Sequence, residues 1–548
     1  MTEKTNRSRF SGQFWLAIFF EFMERGSYYG MMSILSVHLT ENLHFAKEGV
    51  GLIKGTIQPI LYFLPILSGA LADRFGYRRT LTLAFALLGS GYLLTSQMTG
   101  YTAVFLALCV MALGAGMFKP LISGSIARLT DASNSSTGFG VYYWSINLGA
   151  FLFPLFLVPW LKTVPSSPPW KWVMIAAALG TGLMVIPTFL FYKDKRTVEE
   201  KAAKRANLLQ TVADAFEIIY SPLVLLYNRL RKMPRGFYWT VLILITFACV
   251  FLFQRQGPFL LFYVLFLLAA GLVIPGVNRS KGGISGASPG LFAVLLLAVL
   301  WLFPGLSLFG RIVSSVIGLT ALSLFFFDAS DPAKFRDHFS FLLMVFIYSG
   351  FWILYFQMFD SVLWYVRDYV DAASLDRAVN RLLGAAGISL NWHFDIEHVT
   401  VINAGTIILL QLLISRIVKN KPALPTMMAG ILLGTAGMAV LSISTHIWVF
   451  MTGIMIFSIG EMTAHPKFYS YIGLTAPKDR LATYMGYAFL YGVIGAGIGA
   501  PLGAKLYVHF VDGLHQPRVL WLIFSGIGLA TLAGLGVYNR WIGRRQSG

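Results

Sequence analysis

The sequence predicts an all-α integral membrane protein, two six-helix bundles with extra hydrophobic helices inserted between them, roughly 14–16 spans in all. Three observations carry this. Of 548 residues, 56% are hydrophobic and only 12% are charged, about half the charged share of ordinary soluble domains. Apolar runs long enough to cross a bilayer recur along the chain. Basic residues collect in alternate loops between those runs, the pattern of the positive-inside rule.

The same composition excludes other classes. So apolar a chain is not disordered. Two cysteines, Cys109 and Cys249, sit in apolar runs and exclude a disulfide scaffold and cysteine-held zinc. The net charge of 43 − 24 = +19 is spread over short loops rather than over a soluble basic face, so no nucleic-acid partner is expected.

Taken in order, apolar runs lie at about 13–39, 49–72, 79–98, 101–127, 139–161 and 171–192. The first holds Glu21, Glu24 and Arg25 and lacks a small-residue cleavage site, so it reads as a retained helix, not a signal peptide. Residues 1–192 make the N-terminal bundle. Lys4, Arg7 and Arg9, then Arg74, Arg78 and Arg79, then the lysines and arginines after Lys193, alternate so that the N-terminus is cytoplasmic. Residues 193–236 read as a cytoplasmic amphipathic linker, with Leu208, Val212 and Phe216 on one face. Residues 237–327 hold four short apolar runs almost free of charge. Four inserted spans fit them, and two satisfy parity as well. Six further runs follow at about 339–366, 399–418, 424–443, 447–473, 482–509 and 518–541, the C-terminal bundle of 328–548. Its segment 367–398 has three basic residues against five acidic ones and is expected outside the cell. The C-terminus is cytoplasmic by the same rule. Two six-helix halves are a layout of secondary transporters.

Charge at bilayer depth costs at least about 2.5–3.5 kcal/mol on insertion scales and marks function. The first span carries Glu21, Glu24, Arg25 and Tyr28 on one helical face, with Tyr29 beside them. The fourth carries Lys119 before Pro120. The tenth, counting the two halves together, carries Glu461 with His465 one turn on. The seventh carries Phe351, Trp352, Tyr355, Gln357 and Asp360. A structural Glu–Arg pair accounts for part of the first cluster. Two carboxylates, a guanidinium and a lysine on another helix exceed that need. A carboxylate whose cationic partner can move away is a proton carrier.

These residues resemble a known pattern. Glu21, Glu24, Arg25, Tyr28 and Tyr29 are spaced as in the ExxERFxYY signature of the proton-dependent oligopeptide transporters, a branch of the major facilitator superfamily. Gly69–Arg79 looks like the superfamily's loop between helices two and three. Tyr142, Tyr143, Ile146, Asn147 and Gly149 resemble the family's FYxxINxG motif. Lys119-Pro120 matches its fourth-helix lysine, and Glu461, Pro466 and Ala476-Pro477 are similar to its tenth-helix pattern.

The resemblance implies roles. Glu21, Glu24, Arg25 and Lys119 would couple protons. Arg25, Tyr29 and Lys119 would face a peptide's carboxylate, with Tyr62 nearby. Asn147, Asn403 and Glu461 would face its amino group, and Trp352 would line a side-chain pocket. Tyr62 and Trp352 equally fit core or interface aromatics, Asn403 is placed only by its position in the eighth span, and His465 fits helix packing as well as a proton relay. Three positions depart from the family. Its signature Phe is Gly26, a first-helix arginine is Met32, and a seventh-helix glutamate is Phe356. The last two would pair across the outer gate. Their joint loss exchanges an ion pair for an apolar contact, so Met32 and Phe356 are expected to close the gate, with Asp360 taking another partner such as Lys119.

The expected activity is proton-coupled symport of di- and tripeptides or peptide-like compounds by a monomer in the cell membrane, the inner one in a Gram-negative cell. Protons are the coupling ion and no cofactor is expected. An anionic or amphipathic metabolite as cargo is the alternative, and a non-transporting sensor another. A membrane transferase would draw on Asp368, Asp371 and Asp376, whose spacing matches no metal or nucleotide motif.

Overall fold

The computed structural model describes residues 10–131, 134–193, 332–476 and 481–540. The linker 193–236 beyond its first residue, the inserted runs of 237–327, Pro477 and the arginines after 540 lie outside the described residues, as do the side chains of Asp73 and Arg74. The chain divides into two units, Met1–Ala215 with Leu343–Gly548, and Phe216–Leu342. The first unit holds both six-helix halves.

Apolar runs of this length become helices because lipid offers the backbone no partner, so each N–H must bond within its own segment. In the N-terminal half these are α1 (Gly12–Val37), α2 (Lys47–Phe75), α3 (Tyr77–Gln97) and α4 (Tyr101–Leu129). Then come α5 (Ser135–Leu152), α6 (Val158–Thr163), α7 (Lys171–Gly182) and α8 (Val185–Phe191). A π-turn, Phe153–Leu157, joins α5 to α6 at Pro154, which has no N–H to give. The Ser11 hydroxyl accepts the Phe14 amide and starts α1. Gly76 takes φ 95° between α2 and α3, a conformation suited to glycine.

The C-terminal half holds α9 (Pro332–Phe356), α10 (Ser361–Tyr369), α11 (Ala373–Ala385), α12 (His398–Val418), α13 (Ala423–Val440), α14 (Ile447–Thr475), α15 (Leu481–Ala488), α16 (Leu490–Leu506) and α17 (Pro517–Tyr538). Among the described residues nine helical stretches are long and apolar enough to cross a membrane. Helices α1, α2 and α3, with 26, 29 and 21 residues, have the length as well. Six crossings in each half match the apolar runs. The seventh run is not continuous. It breaks after Phe356 into a 3-10 turn, Gln357–Phe359, before α10.

Within each half, helices touch where side chains are absent. A Cβ on Gly91 would strike the Met111 backbone, and one on Gly460 the Gly434 backbone, the close approach that small residues permit in membranes. Between the halves, α2 packs on α16 and α5 on α12. These two seams flank the centre, where α1 and α9 carry the charged and aromatic residues.

Overpacking costs about 1–3 kcal/mol where backbones already touch. Gly460→Val is expected to lower the thermal midpoint in detergent by several degrees. Gly486→Ala, where nothing lies within 4 Å of an added Cβ, should leave it unchanged. Equal midpoints for both variants would contradict the close-approach account.

Candidate functional site

Helix α1 brings its charged face to the centre of the molecule. Arg25 meets Glu24 through two bonds, Nε to Oε2 and Nη2 to Oε1, the latter at 2.6 Å, the bidentate geometry of a strong pair. Glu21 lies one turn earlier, with Oε1 3.7 Å from Arg25 Nε. Its other oxygen, Oε2, is buried without a hydrogen-bond partner. All three residues are at most 4% exposed. Arg25 also stacks over Tyr28, whose hydroxyl donates to Gln58 Oε1 at 3.0 Å. The three predicted α1 charges therefore form one cluster with one unsatisfied oxygen.

Gly26 lies against the end of α5. A Cβ there would sit 2.5 Å from the ring of Phe153, so the aromatic missing from α1 is supplied by the π-turn after α5.

Lys119 of α4 has no carboxylate within 4 Å among the described residues. Its Nζ lies 4.1 Å from the Tyr62 ring centroid, a cation–π contact. Tyr62 in turn meets Phe356 at 5.7 Å, Tyr491 at 5.9 Å and Trp352 at 6.4 Å. Trp352 stacks on Tyr491 at 4.3 Å and leans on Tyr355 and His465. Tyr62 is thus the aromatic bridge from the N-terminal lysine to a C-terminal aromatic wall. The predicted tyrosine Tyr29 is half-buried beside Tyr28 and Phe359.

On the other side of the site, Glu461 Oε2 accepts from Asn403 Nδ2 at 3.1 Å. The same nitrogen donates to Ser458 at 2.8 Å, so α12 and α14 orient the carboxylate together. Asn403, placed by its span alone, sits beside Glu461. Asn147 is buried, and its Nδ2 donates to the Tyr143 carbonyl of its own helix at 2.9 Å. His465 shares a 3.2 Å hydrogen bond with the Tyr348 hydroxyl.

The contacts of Met32, Phe356 and Asp360 differ from expectation. Met32 and Phe356 are both buried, but each has other partners. Met32 Sδ lies 3.7 Å from Gln58 Nε2, and Phe356 packs on Tyr62, Trp352 and Tyr355. Asp360 pairs with Lys54 of α2, not with Lys119, at 2.5 Å. Lys54 Nζ also donates to Ser36 Oγ at 2.8 Å and to the Phe359 carbonyl at 2.5 Å. Ser36 Oγ is within 2.7 Å of the same carbonyl and 3.1 Å of Asp360 Oδ1. The reason is position along α2. Lys119 lies at the level of Tyr62, eight residues or about 12 Å from Lys54 at 1.5 Å per residue. The Phe359 carbonyl is free because the helix breaks there. Gln357 holds the break, donating to the Ile353 and Gly499 carbonyls, each at 3.0 Å, and accepting from Ser361 at 2.8 Å.

Sequence reasoning missed Lys54. It is a lysine inside an apolar run, the same signal that singles out Lys119, but it belongs to no quoted motif. Three further bridges cross the halves at this face. Lys47 meets Asp512 at 2.8 Å, Arg367 meets Glu41 at 3.0 Å, and Lys162 meets Asp395 at 2.5 Å and Glu397 at 2.8 Å.

The family model of the Major Facilitator Superfamily matches residues 14–365 and 372–547. A di-/tripeptide transporter of Lactococcus lactis subsp. cremoris is 31% identical over 217 residues, 38% of this chain and 42% of that protein. Dipeptide and tripeptide permease A of Escherichia coli (strain K12) is 26% identical over 258 residues, 44% of this chain and 48% of that protein. The chain thus spans less than half the length of these curated relatives. Among solved structures, a POT family transporter in complex with 5-aminolevulinic acid has TM-score 0.60 at 18% identity, covering 96% of this chain and 95% of that one. A POT family transporter solved in meso has TM-score 0.66 at 17% identity, covering 97% and 98%. At such identities the likeness is one of fold.

Removing one member of a buried pair strands the other, at about 3–5 kcal/mol. Lys54→Met is therefore expected to lower thermal stability sharply. Lys54→Met/Asp360→Leu should recover most of the loss. A double variant as unstable as the single one would contradict the pairing.

Proposed function

Given that the chain belongs to the Major Facilitator Superfamily, we propose that it is a proton-coupled symporter of small peptides or peptide-like zwitterions. The observation that carries this is the separation of charge across the site. Arg25 and Lys119 stand on the N-terminal half, Lys119 against the Tyr62 ring, and Glu461 on the C-terminal half beside Asn403. A zwitterion needs such opposed charge at fixed separation, and rocking halves can enclose it. The motifs and the named relatives support a member of the proton-dependent oligopeptide transporter branch.

In this reading a substrate carboxylate takes Arg25 and Lys119, and its amino group takes Glu461, held ready by Asn403. Arg25 already gives two of its five N–H groups to Glu24, so a substrate carboxylate competes with Glu24 for it. A displaced Glu24 and the unpartnered Glu21 Oε2 are two places on α1 where a proton stabilises a buried acid. Loading protons there would free Arg25 for substrate, which couples the two. Trp352 and Tyr62 line the path between the charges. Lys54 and Asp360 would close the outer end in place of the family's pair, and must part for it to open. The protein is a multi-pass membrane protein; cytoplasmic termini, a monomeric state and the absence of any cofactor besides protons belong to this proposal.

A second reading keeps the fold and changes the cargo. Gly26, Met32 and Phe356 depart from the family at the site, and Tyr62, Trp352 and Tyr491 crowd it. These features suit a small or aromatic anionic or amphipathic metabolite. The neighbour solved with 5-aminolevulinic acid holds a small compound of that size class. A silent transporter-like sensor would bind without moving its ligand.

Proteoliposomes with an imposed pH gradient separate these readings. Dipeptide should accumulate with the gradient and not without it. Glu461→Gln should lose dipeptide binding at unchanged thermal stability; unaltered affinity would defeat the peptide reading. Glu21→Gln and Glu24→Gln should each lose gradient-driven accumulation and keep counterflow. Normal accumulation in both would remove α1 from proton coupling.

A further inference from the structure

A cluster far from the central site crosses the seam between α5 and α12. Lys162, in α6, reaches Asp395 and Glu397 in the segment that leads into α12. Its ammonium also lies 4.6 Å from the Trp170 ring centroid, so it is fixed from both sides. Two carboxylates thus share one ammonium. They are not equivalent. The Asp395 side chain is 43% exposed, whereas that of Glu397 is 2% exposed.

Closing the halves here puts a net charge of one negative unit around a buried carboxylate. Charged groups resist such burial, and a second carboxylate on the same cation adds repulsion. A proton on Glu397 removes both costs and leaves a simple Lys162–Asp395 pair. From this geometry we infer that Lys162, Asp395 and Glu397 form a latch between the halves that takes up a proton when the face closes, so that acid favours the closed face.

The surroundings agree. Burial pushes the Glu397 carboxyl above the usual carboxylate range, and Lys162 opposes this only in part. Burial raises Asp395 as well, but Lys162 and the Ile396 amide outweigh it and hold that carboxyl below its usual range. One member of the pair is therefore the proton site and the other the permanent anion. Of the other titratable groups nearby, His398 belongs to the cluster, its Nε2 buried without a hydrogen-bond partner, and two more stand outside it. His398 Nδ1 accepts the Asp395 amide at 3.0 Å, His38 stands behind Trp170, and His393 is paired with Asp376. Linkage sets the direction of the response. Closed, Glu397 binds a proton more tightly than it would in water. Open, it meets water and releases that proton. Falling pH therefore populates the closed face, and rising pH loads the latch with unpaired charge and favours opening. With the termini cytoplasmic, this face is the outer one, so the latch senses external acid.

The latch rests on the symporter reading only in that the face opens and closes. Its test uses neither substrate nor gradient. Cys109 and Cys249 are replaced by Ser, and spin labels are attached at Thr163→Cys and Ser389→Cys, exposed positions on either side of the seam. Label distances are measured in lipid nanodiscs from about pH 8 to about pH 5, above the ordinary carboxylate pKa. The short-distance population should grow as pH falls. Glu397→Gln should hold it high at every pH, with the response gone. Lys162→Met should shift it toward long distances at neutral pH, with acid partly restoring the short ones. A response unchanged in Glu397→Gln, no response in the parent chain, or opening in acid would overturn the latch. Should Lys162→Met fail to fold, the Glu397→Gln profile still decides. Loss of uptake in proteoliposomes with the distance response intact would sink the symporter reading and leave the latch standing.

Discussion

The structure turns on one constraint, that charge at bilayer depth must be partnered, and on one pair that meets it across the halves. Lys54 and Asp360 are almost fully buried, at 1% and 3% exposure. Neither could stay there alone. Lys54 is held by a carboxylate, a hydroxyl and a backbone carbonyl together, which satisfies all three ammonium hydrogens. A buried pair is weak evidence for net stability, but it sets a register. Here it fixes α2 against the broken seventh helix, and the bridges at Lys47, Arg367 and Lys162 gather around the same face.

All but one of those bridges share a direction. Lys47, Lys54 and Lys162 come from the N-terminal half, and their carboxylates Asp512, Asp360, Asp395 and Glu397 come from the C-terminal half. Arg367 with Glu41 runs the other way. At the centre, too, the signs are divided, with Arg25 and Lys119 on the N-terminal half and Glu461 on the C-terminal half. Each half carries charge that the other completes. Moving the halves apart would therefore expose charge at the rim, where water can take it up.

Much of this is legible in the sequence. The apolar runs of both halves are helical to within a few residues, because length and hydropathy leave lipid-embedded backbone no other choice. Glu21, Glu24 and Arg25 are legible as one cluster because a helix places residues three and four apart on one face. Partners on other helices are not. Lys54 lies 306 positions from Asp360 by their numbers, and nothing local in α2 states which acid it will meet. Asp360 stands out in its apolar run, yet the run does not say that its lysine is Lys54 rather than Lys119. The depth of each charge depends on how α2 and α9 slide against each other. The break at Gln357 is also hidden. Its cause is a side chain bonding to the Gly499 carbonyl on a distant helix, which leaves no periodicity behind. Gly26 is a departure in sequence alone; in space Phe153 occupies its place.

The carbonyl of Phe359 is part of the coordination of Lys54, yet it belongs to the backbone, so replacing the side chain at that position leaves the acceptor in place. Only the shape of the turn controls it, and Gln357 and Ser361 hold that shape. Two uncharged residues that never touch the lysine therefore help to set the geometry of its coordination. A survey that scored only charged positions would read Lys54 and Asp360 as a bare ion pair and miss the backbone carbonyl that shares the lysine.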